Sequence, residues 1–149
     1  MTRMTVSEVA PEAYRAMSGL ERFLHGSGLP QPTLHLVKLR ASQINGCAYC
    51  VNMHSADAKK AGETDERLWS VAAWREAPFY TDAERAALAL TEAATRLADR
   101  PDPVPDEIWN EAAKHYDEAE LAALVVAIAT INAWNRIAVT THSRPGTRV

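Results

Sequence analysis

Apolar residues recur at helical spacing almost from end to end of this chain, and no stretch alternates long enough to signal a strand. From about Pro11 to Leu24, the residues Ala13, Met17, Leu20 and Leu24 share one helical face; Pro11 suits a first turn, and Gly26-Ser27-Gly28 with Pro30 ends the run. Pro32-Thr33 opens a second helix with Leu34, Val37, Ala41 and Ile44 in register. Asn45-Gly46 then breaks the chain before a third helix, from about Cys47 to Ala61, which Gly62 closes. Thr64 or Asp65 caps a short helix that turns Leu68, Val71 and Ala72 inward and stops before Pro78. Thr81-Asp82-Ala83-Glu84 has the form of a capping box and introduces an alanine-rich helix to about Asp99. Beyond the linker Arg100-Pro101-Asp102-Pro103, a helix from about Asp106 to His115 brings Ile108, Ala112 and His115 together. Asp117 caps the last helix, Leu121 to about Val139, whose opening run to Ala129 is apolar on every side and predicts a central helix buried all round.

The pattern adds up to an all-α fold of about six or seven helices. At 149 residues the chain is long enough for one well-formed core and short for two, so a single domain over residues 1–149 is expected. The last helix is nearly long enough to span a bilayer. Thr130, Asn132, Asn135 and Arg136 interrupt it, however, and favour a buried core or subunit-interface helix over a membrane span. The four tryptophans, Trp69, Trp74, Trp109 and Trp134, read as core and interface anchors, and so much apolar surface on a small chain predicts that subunits cover it. Glu63, Asp65, Glu66 and Arg67 read as a solvated face. The polar tail from Ser143 to Val149, with Pro145-Gly146, is expected to be loose unless a partner chain holds it.

Charge and chemistry narrow the function. A formal net charge of -3 gives no electrostatic reason to expect nucleic acid or an anionic membrane as partner. Met1 to Thr5 lacks the apolar core of a signal peptide, which predicts a cytoplasmic chain and hence a reducing environment. There a C-x-x-C pair is a candidate for redox cycling or metal binding rather than a static crosslink. The two cysteines of the protein are such a pair, Cys47 and Cys50, with His54 four residues on. On a helix they form one stripe. The helix start, with its unpaired N-H groups and positive dipole end, favours ionisation of Cys47; proximity to His54 favours Cys50. Lowering a thiol by about two pKa units, worth about 2.7 kcal/mol, turns it from roughly 3% ionised at pH 7 to mostly thiolate.

Structural alternatives remain beside the redox reading. Cys47 and Cys50 with His35 and His54 make a possible zinc set, but zinc ligands are usually drawn from turns or two elements, whereas the three motif residues share one predicted helix. No metal and no cofactor is therefore expected. Two inert buried cysteines are the other alternative. His25, His115 and His142 read as surface or satisfied side chains.

The run Leu36-Val37-Lys38-Leu39-Arg40-Ala41-Ser42-Gln43-Ile44-Asn45-Gly46-Cys47-Ala48-Tyr49-Cys50, followed by His54, resembles the core of the AhpD-like alkylhydroperoxidases within the carboxymuconolactone decarboxylase family. The close resemblance covers residues 33 to 62, with flanking likeness at Trp74 to Leu97 and Ile131 to Thr141. It implies an all-helical subunit assembled as a homotrimer or homohexamer, and thiol-dependent reduction of a hydroperoxide. It also implies that Cys50 attacks peroxide, that Cys47 resolves the sulfenic acid into a disulfide, and that His54 belongs to a proton relay. Recycling then needs an external dithiol, such as a thioredoxin-like or lipoyl protein. One position departs from the pattern: where peroxidases of this kind usually carry a relay glutamate, twelve residues before the first cysteine, this chain has His35. A histidine also moves protons near pH 7, so His35 is a candidate fourth member of the site. The competing expectations are a non-catalytic redox sensor or oligomeric binding protein that keeps the fold, and a protein disulfide reductase. Muconolactone decarboxylation is a weaker one, since relatives with that activity generally lack the cysteine pair.

Overall fold

Eight α-helices and two short 3-10 turns make up the regular structure of residues 1–146, the part of the chain that this computed structural model describes; Thr147, Arg148 and Val149, the end of the predicted tail, lie outside it. The helices are α1 (Val6–Val9), α2 (Pro11–His25), α3 (Gln31–Ile44), α4 (Ala48–Lys60), α5 (Asp65–Ser70), α6 (Asp82–Thr95), α7 (Asp106–His115) and α8 (Glu118–Thr141). No strand occurs among the described residues. The expected all-α class holds; α1 is the addition, and four residues are too few to carry a periodic signal.

Capping chemistry sets the main boundaries. The Thr81 hydroxyl accepts the Glu84 N-H at 3.2 Å while the Glu84 carboxylate accepts the Thr81 N-H at 2.9 Å, and Asp117 and Glu120 repeat the exchange at the start of α8. Helix α6 stops at Thr95, four residues short of expectation, and the chain tightens into the 3-10 turn Leu97–Asp99 before the proline-rich linker.

Helix α3 is the hub, packed against α4, α6 and α8. Leu34, Leu36, Val37, Leu39 and Ala41 are all buried, and these positions run round the whole helix. The sequence pattern assigned that central place to α8, and the structure corrects it. Leu121, Leu124, Ile128 and Ile131 of α8 face inward, but Val125 and Val139 are 42% and 46% exposed. A helix of 24 residues runs about 36 Å, and seven shorter helices do not surround that length. Helix α8 is long and apolar enough to cross a membrane, but half of its apolar window is buried against the rest of the protein.

Other faces also turn out differently. Helix α2 buries only Leu24, while Leu20 is 40% exposed and Phe23 is 51% exposed, so Ala13, Ala16, Leu20 and Phe23 form an apolar outer stripe. Trp74 is a core residue, whereas Trp69 and Trp109 are exposed. Ala72 and His115 face solvent, the latter 3.4 Å from Glu111. The supposed solvated face around Arg67 is in fact an ionic network, since Arg67 pairs with Glu63 at 2.7 Å and with Glu84 at 2.5 Å. A second buried carboxylate, Glu92 of α6, accepts from Arg40 Nε at 2.8 Å, Trp74 Nε1 at 2.9 Å and Arg75 Nη1 at 2.5 Å, tying α3 and the loop after α5 to α6.

Candidate active site

The break before the cysteines is a helix C-cap with a fixed hydrogen-bond pattern. Gly46 takes φ +64°, its N-H reaches the Gln43 carbonyl at 3.2 Å, and the Cys47 N-H reaches the Ser42 carbonyl at 3.0 Å. A left-handed residue is needed at that point, and glycine adopts the conformation without penalty. The reversal places Cys47 at the N-cap of α4, not in its first turn, and the Cys47 sulfur accepts the Cys50 backbone N-H at 3.3 Å. A thiol thus does the work that serine or aspartate usually does at a cap.

Both cysteines are buried and pack together against Ala138. Their proximity polarises the pair. Hydrogen bonding from Cys50 holds Cys47 down to about 7; burial opposes this, and the Cys50 backbone N-H assists it. Cys50 moves the other way, raised because it keeps the shared proton, is buried and faces the Cys47 charge. The first negative charge therefore rests on Cys47.

A cavity of about 290 Å³ opens beside the pair, walled by α2, α3, α4 and α8. Cys50, His54 and His35 all line it, together with Lys38, Glu21, Trp134 and the rings of Tyr14 and Tyr49. Cys47 does not; it borders a separate, shallower depression next to Gly46, Ala138 and His142. His54 is 6% exposed and its Nε2 is buried without a hydrogen-bond partner. Burial, then the charge of Lys38 and the His35 ring, push it down to about 3, so the imidazole is neutral at physiological pH. His54 hydrogen-bonds neither sulfur, and of the two cysteines only Cys50 shares its cavity. His35 is half-buried and is also lowered, by burial and then by Lys38.

Sequence reasoning missed the polar wall opposite. The Lys38 ammonium, on a residue 4% exposed, is paired with Glu21, whose other oxygen accepts Trp134 Nε1 at 3.1 Å; Tyr14 packs edge-on against the Trp134 ring at 5.4 Å. A signal for Lys38 existed, because a lone charge sits inside the apolar run Leu36-Val37-Lys38-Leu39. Glu21 gave none, its partner being on another helix.

A set of amides was missed as well. Asn45 Nδ2 donates to Asn132 Oδ1 and Asn135 Oδ1, both at 2.9 Å, and Asn135 Nδ2 donates to Ser42 Oγ at 3.0 Å. Among the described residues, no three histidine, cysteine or carboxylate side chains gather closely enough to hold a metal ion.

Comparison with known proteins agrees with this architecture. The model of the carboxymuconolactone decarboxylase family matches residues 11–93, a segment that contains His35, Cys47, Cys50 and His54. The chain belongs to that family. Its relatives in the family include the uncharacterized protein YdfG of Bacillus subtilis, 40% identical over 146 residues, or 98% of each chain. An Agrobacterium tumefaciens protein of unknown function, proposed to be the antioxidant defence protein AhpD, is 38% identical with a TM-score of 0.93, over 99% of this chain and 100% of that one. The debrominase Bmp8 shares the family fold at a TM-score of 0.81, over 92% of this chain and 73% of its own, at 24% identity.

Proposed function

We propose that the protein is a thiol peroxidase that reduces organic hydroperoxides through Cys50 and Cys47. The observation that carries the reading is one cavity holding an oxidisable thiol, Cys50, beside a neutral imidazole, His54, whose Nε2 has no hydrogen-bond partner, with a second thiol, Cys47, packed behind it. In the proposed step the Cys50 sulfur attacks the terminal peroxide oxygen; the S–O bond forms as the O–O bond breaks, and the thiol proton passes by way of His54 to the leaving alkoxide. His35 and the Lys38–Glu21 pair flank that relay. Cys47, ionised near neutral pH, then attacks the Cys50 sulfenic acid. The S–S bond forms and hydroxide leaves, to be protonated to water. Two thiols are oxidised to one disulfide while the hydroperoxide becomes an alcohol and water, and an external dithiol of thioredoxin-like or lipoyl type reduces the pair again. A reducing cytoplasm suits that cycle.

The test is hydroperoxide consumption with dihydrolipoamide, a thioredoxin-like protein and a small dithiol compared side by side. Turnover with one of them, lost in Cys50→Ser, is the expected result. A disulfide that forms without turnover under every dithiol would leave a redox sensor instead. The reading extends to a homotrimer or homohexamer, supported by the apolar outer stripe of α2 and by exposed Trp69 and Trp109. Light scattering well above the 16.4 kDa of one chain would bear that out.

A further inference from the structure

We infer that a second concavity, formed by α6, α7 and the segments that follow α5 and α6, is a binding site for a small phosphate monoester, held by Arg75, Arg96 and Arg100. It shares no residue with the cysteine cavity and does not depend on the peroxidase reading. The space is about 230 Å³, and the three arginines line it together with two carboxylates, the buried Glu92 and the exposed Asp99. Charge is not balanced there. Glu92 Oε1 already accepts from Arg40 Nε at 2.8 Å, Arg40 Nη2 at 2.7 Å and Trp74 Nε1 at 2.9 Å, and Oε2 accepts from Arg75 Nη1 at 2.5 Å. Arg96 is left 4.0 Å from that carboxylate, outside hydrogen-bond range. The Arg100 side chain has no ion pair or hydrogen bond among the described residues. With Arg40 behind Glu92, four guanidinium groups meet two carboxylates, a surplus of two positive charges on a chain whose formal net charge is -3.

That surplus calls for a doubly charged anion. A phosphate monoester carries about -1.5 to -2 at pH 7 and offers three strong acceptor oxygens, whereas a carboxylate would cancel half of the excess. The planar fork of a guanidinium group matches phosphate with two parallel hydrogen bonds. Arg75 is already oriented for this, stacked 4.3 Å from the centre of the Trp74 ring and tied to Glu92, so binding has little left to order there. Arg96 and Arg100 are exposed and can turn their free donors inward. Ala89 and Ala93 of α6 and Ile108 of α7 complete the wall and give an organic body something apolar to rest on. The space is smaller than pockets that hold drug-sized ligands, which limits that body to roughly one ring.

The test is titration of the full chain with phenyl phosphate, inorganic phosphate and benzoate, each against sodium chloride of equal ionic strength, read by arginine side-chain N-H resonances and by Tm. Phenyl phosphate should bind saturably and more tightly than the other two, moving the Nε-H resonances of Arg75, Arg96 and Arg100 and raising Tm. The double variant Arg96→Gln, Arg100→Gln should weaken it by about tenfold or more, the size expected for losing hydrogen bonds to a charged group. Thiolate titration at 240 nm, which reads the other cavity, should not move. A response no larger than that to sodium chloride overturns the inference, as does binding that survives in the double variant. Binding of benzoate or inorganic phosphate as tight as that of phenyl phosphate overturns the choice of ligand. If phenyl phosphate does not bind and the double variant has a smaller mass by light scattering, the arginines meet a neighbouring subunit and the inference fails. Should the variant not fold, the three resonances of the unaltered protein decide, and resonances indifferent to phenyl phosphate overturn the site.

Discussion

Glu21→Gln tests the wall of the cavity most directly. The Lys38 side chain is 5% exposed and the Glu21 side chain 23%, so the change removes the carboxylate facing an ammonium that water barely reaches. Removing one partner of a buried ion pair typically costs about 3–5 kcal/mol, because the remaining charge is stranded. For a chain of this size that is a fall in Tm of roughly 6–20 °C. Glutamine keeps an oxygen for Trp134 Nε1, which confines the loss to Lys38. Lys38→Met in the same chain should recover most of it, since an apolar side chain of similar volume needs no partner. Urea melts of wild type, both single variants and the double variant complete the cycle. A Glu21→Gln cost below about 1 kcal/mol, or no recovery in the double variant, would show that Lys38 is not held by Glu21 and would refute the electrostatic account of the wall.

Three further predictions concern titration and turnover. Cys50→Ala removes the largest cause of the low Cys47 value, so the remaining thiol should titrate about one unit or more higher by absorbance at 240 nm; an unchanged midpoint near 7 would mean that the cap alone sets it. His54 is lowered to about 3, so its contribution to stability is complete above about pH 6.5 and declines as pH falls below it, by up to about 2.7 kcal/mol at pH 4.5. Burial pushes Glu84 and Glu92 up, but hydrogen bonds from Arg67 to Glu84, and from Trp74, Arg75 and Arg40 to Glu92, outweigh it and hold both below the usual carboxylate range; their contribution is present above about 4.5 and lost below it. Denaturant midpoints should therefore fall in two limbs, and His54→Gln should remove the upper one. His35→Ala should lower hydroperoxide turnover tenfold or more, and activity within twofold of wild type would make His35 an ordinary wall residue.

Much of this was legible in the chain. The capping boxes at Thr81 and Asp117, the Asn45-Gly46 break and the C-x-x-C-x-x-x-H run are local signals, and the structure meets them where the sequence sets them. Signals that depend on which helix lies opposite were not. Leu20 and Phe23 have helical spacing yet stay outside, because the inner face of α2 is spent on Tyr14, Ser18, Glu21 and His25 along the cavity. Asn132 and Asn135 looked like interruptions of an apolar helix; their partners, Asn45 and Ser42, lie about ninety residues away in the chain, a distance no local pattern spans. The same holds for Glu92, which anchors residues from two other parts of the chain.

The cavity beside Cys50 has a kinetic corollary. A space of about 290 Å³ admits one modest molecule at a time, so oxidant and reductant must take turns at the same sulfur. Attack by the incoming dithiol on Cys50 also expels Cys47, the more acidic and hence faster-departing thiol. In the proposed cycle initial-rate plots at several fixed reductant concentrations should then be parallel, the mark of a ping-pong order, and each co-substrate should at high excess slow the half-reaction of the other.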